Sequence, residues 1–85
     1  MSFGHYLKTK REEAGLSQAA LAARCPGGEG IAQTTIGRWE RGSHVPSVRQ
    51  VGLLATALRL SERERLDALD HASRPDVAPD AQAAL

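Results

Sequence analysis

Apolar side chains recur along this chain at three- and four-residue intervals and nowhere alternate strictly with polar ones, a pattern of amphipathic helices without a half-buried strand. Stop signals separate five helical stretches. The first spans about Phe3 to Ala14, with Phe3, Leu7 and Ala14 on one stripe, and ends at Gly15, which supplies the left-handed residue that commonly closes a helix. Leu16 then packs back on the core. Ser17 is a good N-cap for a second helix, Gln18 to about Arg24, whose inward face is Leu21, Ala22 and Cys25, and Pro26-Gly27-Gly28 stops it. A third helix is predicted from about Gln33 to Arg41, with Ile36 and Trp39 inward and Gly42 at its end. Ser47 and Gln50 form a capping box that opens a fourth, with Val48, Val51, Leu54, Ala55 and Leu58 at helical spacing. Ser61 and Glu64 form a second box and open a fifth helix to about Ala72, with Leu66 and Leu69 inward. From Ser73 on, Pro75, Pro79 and scattered Asp and Ala give no periodic face. The expectation is an all-α domain over residues 1–72 followed by a flexible tail, or the start of a linker, over 73–85.

Two charges fall on faces that should be buried. Phe3, Leu7 and Arg11 lie four apart in one row, and Ile36 and Glu40 are likewise four apart. A buried charge needs a partner, so the economical expectation is that Arg11 and Glu40 form a structural ion pair between the first and third helices. The alternative is that both side chains reach water separately.

Composition narrows the class. At 85 residues the chain supports one small core, and with 41% hydrophobic and 25% charged residues it reads as a folded globular domain. The one thiol, Cys25, has no partner for an internal disulfide and reads as a small buried apolar residue, which fits a reducing, cytoplasmic setting. The chain shows no charged start followed by a long apolar run, so no signal peptide is expected, and no run is long enough to span a membrane. The net charge of +1 hides an uneven distribution: eight Lys and Arg against four acids before Leu60, net +4, and three Arg against six acids after it, net −3. The asymmetry points to a basic half suited to phosphate and an acidic end that turns away from it, the alternative being a chance distribution of few charges. His5, His44, His71 and Cys25 have no metal-ligand or nucleophile spacing, and Pro26-Gly27-Gly28-Glu29-Gly30 lacks the Lys-Ser/Thr of a phosphate loop. No catalytic residue, metal or cofactor is expected.

The string Leu16-Ser17-Gln18-Ala19-Ala20-Leu21-Ala22, then Thr35-Ile36-Gly37-Arg38-Trp39-Glu40-Arg41-Gly42, then Pro46-Ser47 resembles the Xre-type helix-turn-helix family, which includes the phage Cro and repressor domains, over roughly residues 4 to 70. The resemblance implies a five-helix, repressor-like DNA-binding fold whose second helix crosses the DNA backbone while the third enters the major groove. Carried over by position, it makes Gln33, Thr34 and Arg38 the base readers. Their chemistry agrees: a Gln amide pairs with adenine, Arg with guanine, and a Thr methyl meets a thymine methyl. Gln18 takes the position that clamps a phosphate at a helix N-terminus, and Thr35, Arg41, Ser43 and His44 are the other backbone contacts. Gly37 offers little readout but lets backbones approach, and Trp39 reads as core. Two departures stand out: Cys25 to Gly30 lengthens a turn that the family keeps tight, and Ala32 stands where a capping Ser or Thr is usual.

The function implied is sequence-specific binding of double-stranded DNA by a transcriptional regulator, with a homodimer forming on two half-sites through the fifth helix, which holds Leu66 and Leu69 with Leu60 nearby, unless these residues are used up in the monomer core. The alternative is an antitoxin-like module that uses the same fold, and its acidic end, to bind a protein partner. Neither reading involves a membrane.

Overall fold

The computed structural model describes residues 2–25 and 31–73, and among these it forms five helices and no strand: α1 (Phe3–Glu13), α2 (Gln18–Arg24), α3 (Gln33–Glu40), α4 (Val48–Ala57) and α5 (Glu62–Ser73). The all-α, five-helix expectation therefore holds. The expected long turn after Cys25 and the expected tail after Ser73 lie outside the described residues, while Ser73 itself belongs to α5.

Serine hydroxyls set four of the five helix starts. Ser2 and Ser17 accept from the backbone N–H groups of His5 and Ala20, at 3.2 and 3.0 Å. Ser47 with Gln50, and Ser61 with Glu64, make both hydrogen bonds of a capping box, so two otherwise orphaned donors are satisfied at each site. Each such cap stabilises its helix by about 1 kcal/mol. α3 is the exception: Ala32 caps it without a side-chain hydrogen bond. Gly15 and Gly42 end α1 and α3 with φ of 73° and 80°. No glycine marks the end of α4, where Arg59 itself takes a φ of 56°, a left-handed conformation that costs a side-chain-bearing residue about 1–2 kcal/mol.

α1 packs against α3 and α5, α2 against α3, and α4 against α5. Leu7, Leu21, Ile36, Val51 and Leu54 are almost completely enclosed at the centre, each contributing about 1.5–3 kcal/mol of burial. Phe3, Tyr6, Cys25, Trp39, Ala57 and Ala68 surround them. α1 meets the C-terminal end of α3 closely. A Cβ built on Gly4 would stand 2.5 Å from the carbonyl oxygens of both Trp39 and Glu40, so only glycine lets the two backbones meet there.

Three positions expected to face inward do not. Ala14 is exposed because the inward stripe of α1 turns polar at Arg11, which faces α3, and Ala14 is already the C-cap beyond it. Val48, 75% exposed, is the first residue of α4, before the helix reaches its neighbours. Leu66, 57% exposed, is displaced by a rotation of α5 that buries Ala68 and half-buries Leu69 and Ala72. Tyr6, a core residue that the spacing argument passed over, holds this rotation. Its hydroxyl donates to the Glu64 carbonyl oxygen at 2.9 Å, and its ring lies 4.8 Å from that of His71. Lys10 completes the strap at 2.8 Å from the Glu64 carboxylate.

Two predictions follow from these contacts. Gly4→Ala must push α1 off two backbone carbonyls that have no free rotor to yield, and is expected to lower stability by about 1–3 kcal/mol in a denaturant titration. The hydrogen bond from Lys10, together with those at Ser61, lowers the Glu64 carboxyl from its usual 4.5 to about 2. A folded value below the unfolded one favours the fold above pH 4.5, and the contribution disappears as pH falls to about 2. Across that window the melting temperature of the wild type should fall more steeply than that of Glu64→Gln. Parallel curves would show that the strap does not respond to pH.

Candidate nucleic-acid interface

α3 is short, eight residues. Ile36 and Trp39 are buried on its inward face, Gly37 is buried on the side of Gln33 and Thr34, and Gln33, Thr34 and Arg38 are exposed. Ile36 and Trp39 seat the helix against α1 and α2, so its polar side has to face outward. Gln18, at the start of α2, and Arg41, the C-cap of α3, join Gln33, Thr34, Gly37 and Arg38 in lining one open groove. Five of the residues expected to touch DNA are thus brought together. Thr35 is half-buried, and Ser43 and His44 lie exposed in the segment that leads from α3 to α4, outside the groove lining.

The groove rests on a part-buried ionic network. Arg11 Nε donates to Glu40 Oε2 at 2.6 Å, and its Nη2 donates to Oε1 at 3.1 Å, a two-pronged contact across α1 and α3. The side chains are only 11% and 6% exposed. Arg11 Nη1 donates to the carbonyl of Leu16 at 2.9 Å, which ties the α1–α2 connection to the same guanidinium. The hydrogen bonds to Glu40 raise the Arg11 pKa further and keep the cation fixed. Gln18 adds a member that residue spacing did not reveal: its Nε2 donates to Glu40 Oε1 at 3.0 Å. Among the described residues no buried side-chain polar atom lacks a partner, so this network is fully satisfied.

Glu40 is the one acidic residue of α3, and Arg11 and Gln18 engage its carboxylate. Arg38 and Arg41 form no ion pair with any described residue, which leaves the groove positive. Cys25 is buried, and burial raises its thiol pKa, the opposite of what a reactive cysteine needs. Among the described residues no three of His, Cys, Asp and Glu converge to hold a metal ion, and no helix is long and apolar enough to cross a membrane.

A short helix laid across another, with a polar, positively charged outer face, is the arrangement of a helix-turn-helix. The profile of the helix-turn-helix domain family matches residues 2–69, and the chain belongs to that family. It is a class of DNA-binding domains. No curated protein and no solved structure matches the chain.

Removing one member of a buried ion pair strands the other. Glu40→Ala is therefore expected to cost about 3–5 kcal/mol and to lower the melting temperature by more than about 10 °C, whereas Glu40→Gln, which keeps the acceptor oxygen, should cost less. Thermal denaturation followed by circular dichroism checks this, and an unchanged midpoint for Glu40→Ala would contradict it.

Proposed function

We propose that this protein is a sequence-specific transcriptional regulator of the Xre type that binds double-stranded DNA with α3 in the major groove. The observation that carries the reading is the groove itself: Gln33, Thr34 and Arg38 stand out from α3 beside Gln18 and Arg41, with no described carboxylate paired to either arginine. Gln33 and Arg38 each have the geometry for bidentate contact with a base edge, adenine and guanine respectively, worth about 1–3 kcal/mol of discrimination apiece, and Thr34 offers a methyl to thymine. Gln18, Thr35, Arg41, Ser43 and His44 contact phosphates and set the register of α3 on the duplex.

The protein acts in the cytoplasm, and two copies bind two half-sites about 34–36 Å apart. Leu66 on α5 supports that pairing: the fold leaves it more than half exposed, on a helix remote from the groove residues in the chain and not spent on the monomer core. Leu60 and Leu69 are half-buried against the core and take a smaller part.

Selection from random-sequence duplexes tests the reading. The wild type is expected to enrich a short, two-fold symmetric motif. Gln33→Ala and Arg38→Ala should each blur it at a defined position and weaken binding about 5- to 150-fold, with melting temperatures unchanged. Failure of the wild type to enrich any motif, together with co-purification of a second protein, would move the function to the antitoxin-like reading.

A further inference from the structure

Glycine inside a helix weakens it by about 0.8–1 kcal/mol relative to alanine, and α3 has only eight residues and no side-chain cap to spare. Gly37 nonetheless sits in its middle, on the groove side. It is not open to an approaching DNA backbone, because it is buried. What lies over it are the two long side chains that flank it: a Cβ at position 37 would meet Arg41 Nη1 at 3.3 Å and Gln18 Oε1 at 3.5 Å. The guanidinium and the amide therefore converge on the place where a side chain would be. Their approach comes from different elements, Gln18 from the first turn of α2 and Arg41 from the end of α3.

Gln18 Nε2 donates to Glu40, and the Gln18 oxygen is the nearer end of the amide to a Cβ at Gly37, 3.5 Å against 3.8 Å for Nε2. The Arg41 guanidinium lies over the same glycine and has no described carboxylate to engage it. The Arg41 guanidinium therefore lies over α3 beside Gln18, with its N–H groups available to an external anion.

We infer that Gly37 is a positioning residue of the DNA-facing groove: its missing side chain leaves the space that Gln18 and Arg41 both overlie, so that Arg41 lies across α3 as a contact for a single backbone phosphate. The inference rests on the DNA-binding reading above and deepens it. Gly37 contributes through Arg41 and Gln18, not by touching DNA.

The contrast between folding and binding is the test. In Gly37→Ala, Arg41 Nη1 is the far end of a flexible side chain and can yield by a few tenths of an ångström, so the variant should fold and melt at or above the wild-type temperature. Its affinity for the selected duplex should nevertheless fall about tenfold, and the slope of log K against log salt should become shallower by about one, as for the loss of one phosphate contact. Arg41→Ala should show the same loss, and Gly37→Ala introduced into Arg41→Ala should add little, because the group it positions is gone. Gly37→Ala binding with wild-type affinity and slope would overturn the inference. So would full additivity with Arg41→Ala, which would mean that the glycine meets the DNA directly. If the wild type binds no duplex at all, the DNA-binding reading falls and this inference falls with it, a result distinct from either of the others.

Discussion

The orientation of the recognition surface depends on the joint between α1 and α3. The joint has two fastenings, one of shape and one of charge, seven residues apart on α1. At Gly4 the absence of a side chain lets the backbone of α1 meet the last carbonyls of α3. At Arg11 a guanidinium closes on Glu40 with both prongs and on Leu16 with a third donor. Charges withdrawn from water to this extent are expensive, and a buried pair of this kind is weak evidence of net stabilisation over a hydrophobic replacement. Its consequence is directional: Glu40 has one place in which its charge is matched, so α3 has one pose.

That pose decides what the groove presents. With Ile36 and Trp39 committed to the core, Gln33, Thr34 and Arg38 must point outward, and the carboxylate next to them in the chain is turned inward and neutralised. A free Glu40 at the edge of the groove would repel the phosphates that Arg38 and Arg41 attract. The same network reaches Gln18 and so couples the start of α2 to the end of α3. Opposite the groove, Tyr6 and Lys10 hold α5 through Glu64, which gives α1 a second partner and places it between the recognition half and the acidic half of the chain.

Much of this was legible in the sequence for local reasons. A serine followed three residues later by Gln or Glu fixes a helix start from within one turn, and Ser47 and Ser61 do so here. Arg11 and Glu40 stood out because helical spacing put each charge in line with apolar neighbours. What spacing could not show was the rotation of a helix whose two faces are nearly equal in polarity. α5 offers Leu66 on one side and Ala68 with Leu69 on another, and the choice is made by Tyr6, fifty-eight residues from its acceptor on Glu64. Close approaches were also hidden: Gly4 and Gly37 matter for what lies across from them, which a linear pattern does not contain. Arg59 in a left-handed conformation carried no signal, since arginine is not a residue that ends helices in this way.

The most direct test of the account is a titration of the 15N-labelled protein with duplex DNA, followed through the backbone amide resonances and the side-chain amides of Gln18 and Gln33. The account predicts that the largest shifts fall on Gln18, Gln33, Thr34, Arg38 and Arg41, with the amides of Gly4, Leu7 and Trp39 nearly unmoved because the joint between α1 and α3 stays closed. Saturable binding that leaves the N-terminal halves of α2 and α3 unshifted, with the changes gathered elsewhere on the surface, would contradict it.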